Sequence, residues 1–170
     1  AYNQLEDKTG INEQITVAKQ QLYVTAGEID KAFEEVERLI EFAPDEPKYY
    51  GLLADLYLGQ GNNEKALEYY NKILEMDPEN GFVHFSMANY YVAEGDLEKS
   101  YEHTVKGFSS ESVDIQNKLQ LYMMLTANPS KSKITGEQEE ELIQLLIKNH
   151  PDEFLVYTVY AENLIKKQKI

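Results

Sequence analysis

Three histidines, His84, His103 and His150, are the side chains of this sequence whose ordinary pKa suits proton transfer near neutral pH. To act as bases they would need a nucleophile or a second acid held beside them. The sequence spells out no such set. Its serines have no Gly-x-Ser-x-Gly elbow around them. No Gly-rich phosphate loop or EF-hand loop is present. Glu102 and His103 adjoin on a predicted helix and point in different directions, unlike the i, i+4 pair of a zinc-binding helix. His150 stands before Pro151 at a predicted helix end, where a cation would favour the C-terminal carbonyls. Consecutive acids such as Glu139, Glu140 and Glu141 read as a solvated helix face. With no cysteine, disulfides, thiolate metal sites and a thiol nucleophile are excluded. The expectation is no catalytic residue, no metal and no cofactor.

The 170 residues suffice for one or two compact domains or a short solenoid. At 42% hydrophobic and 27% charged, the chain has the composition of a globular protein. No apolar stretch approaches the roughly 20 residues of a membrane span, which argues against direct insertion. The first residues lack the basic start and apolar core of a signal peptide. Thirty acidic against sixteen basic residues give a net charge of −14. Such a field repels phosphate backbones and anionic lipid, so nucleic acid is not the expected partner.

An internal repeat organises the rest. Gly27, Gly61 and Gly95 recur every 34 residues, as do Tyr23, Tyr57 and Tyr91, then Ala32, Ala66 and Ser100, and Pro44 with Pro78. Apolar residues at helical spacing flank each glycine, as in Leu52, Leu53, Leu56 and Tyr57 before Gly61 and Ala66, Tyr69, Tyr70 and Ile73 after it. Gly61 suits the left-handed residue that ends one helix, and Asn62 can cap the next. Pro44 and Pro78 close each unit after its second helix. Ala54, Ala88, Ala66 and Ser100 are small where two helices would cross. Pro151 lies two periods and five residues after Pro78. That surplus falls in a polar loop at 128–134, between helices near 112–127 and 136–149, and Thr135 with Gln138 forms a capping box for the second.

These columns resemble the tetratricopeptide repeat, with Tyr50, Leu53, Ala54, Tyr57, Gly61, Ala66, Tyr70 and Pro78 the fullest match. The resemblance implies an all-α, right-handed solenoid of antiparallel helix hairpins. Its repeats would be 13–46, 47–80 and 81–114, then a divergent repeat at 115–150 with its insertion near 128–135. A further first helix follows at 151–170, and residues 1–10 are the tail of a preceding helix. Both ends would then fall inside a repeat, as in an excised part of a longer array. His84 stands in a column where the family has a large aromatic, so it should pack. More narrowly, the run resembles long tetratricopeptide proteins of gut Bacteroidetes, many of which carry lipoprotein signals. An extracytoplasmic location would follow from that resemblance, although nothing in these residues shows export.

The resemblance also implies a function: a protein-interaction scaffold that binds a peptide or protein segment on the concave face lined by first helices, without catalysis. Carried onto matching columns, partner-binding positions are Val17, Gln21 and Val24, then Lys48, Asp55 and Leu58, then Phe82, Phe85, Asn89 and Val92. Phe82 and Phe85 share a helix face and would serve as apolar anchors if exposed. The cationic clamp with which chaperone-binding members hold a C-terminal carboxylate has no counterpart, because its columns hold Val17, Gln21, Leu52, Phe82 and Ser86. The alternatives are a structural spacer or self-assembly segment, or an accessory domain of a larger enzyme. The closing helix is apolar around much of its surface, so weak homo-oligomerisation through it is also expected.

Overall fold

The computed structural model describes residues 11–168. The expected helix tail at residues 1–10 lies outside the described residues. Every regular element among them is a helix: α1 (Glu13–Ala26), α2 (Ile29–Phe42), α3 (Pro47–Gly59), α4 (Asn63–Met76), α5 (Gly81–Glu94), α6 (Leu97–Ser109), α7 (Ile115–Ala127), α8 (Pro129–Ser132), α9 (Gly136–Asn149) and α10 (Phe154–Gln168). None is long and apolar enough to cross a membrane. The chain falls into two units, Ala1–Pro78 and Glu79–Ile170.

In the first unit adjacent helices pack pairwise, α1 on α2, α2 on α3 and α3 on α4. The turns follow from their residues. Gly61 takes a left-handed φ of 72°, which costs a residue with a Cβ roughly 1–2 kcal/mol. Asn62 then accepts the Lys65 amide at 3.1 Å to start α4. Ala32, Val36, Leu53 and Leu56 form a buried cluster between the helices. Ala54 and Ala66 are fully buried, as small residues at a close crossing should be. Two charged groups enter this interior as a pair: Lys19 of α1 meets Glu35 of α2 at 2.6 Å with both side chains buried. Arg38 reaches the other Glu35 oxygen at 2.7 Å, so that carboxylate is doubly compensated.

In the second unit α5 pairs with α6 across Gly95, whose φ is 80°. Farther on, α9 packs on α6, α7 and α10. The core there is Phe108, Leu119, Tyr122, Leu142, Ile143, Leu146 and Val156. Asp114 caps α7 through the Asn117 amide at 2.9 Å, and the Thr135–Gln138 capping box opens α9 with both reciprocal bonds in place. The segment 128–134, read from its polarity as a loop, instead contains the single turn α8, with proline at the first helical position.

A recurring staple fixes where a first helix leaves the preceding proline. Tyr50 O–H donates to the Pro44 carbonyl at 2.7 Å, and Tyr157 O–H donates to the Pro151 carbonyl at 2.9 Å. The two tyrosines are three periods and five residues apart in sequence.

Candidate interaction surface

The exposed side of the first helices can be followed residue by residue within each unit. In the first, Gln21 and Val24 of α1 are exposed and Val17 is half-buried, while Lys48, Asp55 and Leu58 of α3 are exposed. Lys48 is engaged by Glu13 at 2.9 Å and lies over the Tyr49 ring at 5.3 Å, so it is anchored within the surface. Partial burial pushes the Asp55 carboxyl above the usual carboxylate range. In the second unit, Phe82 and Asn89 of α5 are exposed and Val92 is half-buried.

Phe85 departs from the anchor role expected of it. Its ring stands edge-on to Phe108, with centroids 5.4 Å apart, and packs against the core of the second unit. The space it fills exists because residue 107 is glycine: a Cβ there would overlap the Phe85 ring. Phe82 and Phe85 therefore do different work. Phe85 holds α5 to α6, and Phe82, 53% exposed, touches solvent.

His84 is buried, as its column implied, but it does not pack alone. Its Nδ1 is 3.0 Å from Nδ1 of His103 on α6, and the His103 ring stacks on Tyr91 with centroids 5.4 Å apart. Burial, then the positive fields of His84 and Lys106, push the His103 pKa down. Nothing in the sequence signals this pair, because nineteen residues of separation across a hairpin match no ligand spacing. Among the described residues no group of three or more histidines and carboxylates is placed to hold a metal ion.

His150 corrects another expectation. It is the C-terminal cap of α9, yet burial first and Lys118 second push its pKa down, against the pull of Glu153. Its Nε2 is buried without a hydrogen bond. A neutral ring in that position fills space and does not serve the helix end as a cation. Lys118 itself is only 2% exposed and pairs with no described carboxylate. Burial pushes its ammonium below the ordinary lysine range, opposed by Glu111 and Asp114. Both residues line a cavity of about 440 Å³ between the α6–α7 corner and the end of α9.

Comparison with known proteins agrees with the all-helical hairpin fold. Residues 47–80 match the family model described as tetratricopeptide repeat. No curated protein matches the chain. Among solved structures, the fold is similar to that titled "Crystal structure of MamA", with 12% sequence identity and a TM-score of 0.57, covering 89% of this chain and 88% of that one. At that identity the likeness is one of fold.

Proposed function

We infer that this chain, whose residues 47–80 are a tetratricopeptide repeat on an all-helical hairpin fold, is a protein-interaction scaffold without catalytic activity. A peptide or protein segment lies along exposed positions of its first helices. The observation that carries this reading is Phe82. It is a large aromatic more than half exposed, while its neighbours Val83 and His84 are buried. An aromatic that adds little to the fold and faces water on a partner-binding column has the character of an interface anchor. Asn89 continues the same helix face two turns on.

The experiment is capture from a lysate of the source organism with the immobilised full chain, in parallel with its Phe82→Ala and Asn89→Ala variants. Proteins held by the parent and lost by the variants, with helicity unchanged, support the reading. An identical set on all three overturns it and favours a structural spacer.

A further inference from the structure

Hairpins joined by a short regular turn close tightly, but the second unit carries five residues beyond the repeat period just after α7. Those residues build a roof. Ser132 Oγ donates to the Leu125 carbonyl at 2.8 Å, drawing the α8 turn back over the end of α7. Lys133 follows with a φ of 61°, the one non-glycine residue with positive φ among those described. That conformation costs a residue with a side chain free energy and turns the chain back toward Thr135 and α9. Beneath the roof is a cavity of about 310 Å³, between α5, α6 and α7. Its walls are mostly apolar: Ala88, Val92 and Ala93 of α5, Met124 and Leu125 of α7, and Ile134. Thr104 adds little polarity, since its hydroxyl donates to the Ser100 carbonyl of its own helix at 2.9 Å.

The polar groups of the cavity are of a different kind. Asn89 and Asn128 line it, and their amides make no hydrogen bond to a described side chain or backbone group. Lys131 lines it too and, like Lys72, Lys133 and Lys148, forms no ion pair with the described residues, so its charge at this opening is free to meet a ligand. In a chain with almost twice as many acids as bases, an unpaired lysine at an apolar opening marks where a negative charge is welcome. Two free amides, each donor and acceptor, match the alternating N–H and C=O of an extended backbone better than the single head of a fatty acid. The volume lies at the lower end of the range for whole small ligands, about 300–1,000 Å³.

We propose that the cavity bordered by Lys131, Ser132 and Ile134 is a socket for one large apolar side chain of a partner's extended segment, with a carboxylate residue beside it that meets Lys131. This rests on the scaffold reading and adds to it the chemistry of the segment bound. Methionine methyls report the site directly, because Met124 lines the cavity and Met76, Met87 and Met123 do not. With ¹³C-methyl methionine in the full chain, the blocked peptide acetyl-Glu-Leu-Gly-amide should shift Met124 saturably and leave Met76 unmoved. Acetyl-Lys-Leu-Gly-amide should bind about threefold more weakly, the scale of one exposed ion pair. Lys131→Glu should invert that preference, and Ala93→Trp, at an exposed position of the wall, should abolish both. The proposal is overturned by an unmoved Met124, by a preference that Lys131→Glu leaves in place, or by hexanoate binding as tightly as the acidic peptide, which would make the cavity a site for small amphiphilic acids. Any of these would leave intact a partner capture that depends on Phe82, so the two readings fail separately.

Discussion

The Nδ1 atoms of His84 and His103 face each other at 3.0 Å across the α5–α6 hairpin, so one ring donates its proton and the other accepts it. A proton added to His103 is held in a partly buried site. His103 is held below its ordinary value of 6.5 by burial, by His84 and by Lys106. The unfolded chain therefore binds more protons than the folded one below about pH 6.5, and stability falls as pH falls through that window. Denaturation midpoints should drop between pH 7 and pH 5. His103→Gln, which removes that titration, should show a shallower drop, with the remainder belonging to His150, shifted in the same direction. Equal slopes in the two proteins would remove the pair from the account.

The left-handed turn glycines give a second expectation. Gly61 and Gly95 have φ of 72° and 80°, with open space where a Cβ would stand. The cost of a side chain there is conformational, not steric crowding by neighbours. Gly61→Val should lose about 1–2 kcal/mol and Gly61→Asn clearly less, since asparagine tolerates this region. Chemical denaturation that ranks the two alike would contradict the backbone argument.

Phe82 and Phe85 should separate cleanly. Phe85→Ala empties the seat over Gly107 and should cost about 2–3 kcal/mol, short of a fully buried phenylalanine because the ring is half-buried. Gly107→Ala forces a methyl into that ring and should cost roughly 1–3 kcal/mol. Phe82→Ala should leave the midpoint almost unchanged while weakening partner capture. A stability loss at Phe82 equal to that at Phe85 would assign both rings to the core.

What the sequence revealed, and what it concealed, follows from what a period can report. A residue type that recurs every 34 positions marks a demand repeated from hairpin to hairpin: Gly27, Gly61 and Gly95 at the turn, Ala54 and Ala88 at a crossing. The capping box at Thr135 is equally local and was equally visible. Contacts made once leave no periodic trace. Phe85 was legible as an aromatic on a first helix, but its seat depends on a glycine 22 residues away in another column. The His84–His103 pair, the burial of Lys118 and the cavity under α8 are products of single substitutions or of the insertion. The different placement of Phe82 and Phe85, three residues apart on one helix, was not legible in the repeat.

Lys118 provides a test of burial alone. Its ammonium is desolvated and has no ion-pair partner among the described residues, a state that costs about 1–3 kcal/mol for a polar group left without a partner. Lys118→Met keeps the length of the side chain and removes the charge, so the variant should be more stable at pH 7 by about 1 kcal/mol. The folded pKa lies below the ordinary 10.5. The parent therefore gains stability relative to the variant as pH rises toward 10.5, and the gap should narrow there. A variant less stable than the parent at every pH would mean that Glu111 and Asp114 stabilise the ammonium more than burial penalises it.

The last expectation concerns α10, which is apolar on two sides. Val156 is buried and Val159 and Tyr160 pack against the core of the second unit. On the other side Phe154, Tyr157, Leu164 and Ile165 are exposed, Phe154 to 75%. Their spacing of three, seven and one residues keeps them on one stripe of the helix. A stripe of this kind exceeds the scattered apolar residues normal on a monomer surface. Association of the chain through α10 should therefore appear at high concentration. The net charge of −14 opposes it, so added salt should strengthen it by screening the repulsion. Phe154→Glu combined with Ile165→Glu should keep the protein monomeric with an unchanged denaturation midpoint, because neither side chain is buried. Sedimentation velocity distinguishes the outcomes: a doubly substituted protein that associates as the parent does would place the contact elsewhere, and a parent that stays monomeric at every salt concentration would show that the exposed stripe is too small to hold two copies together.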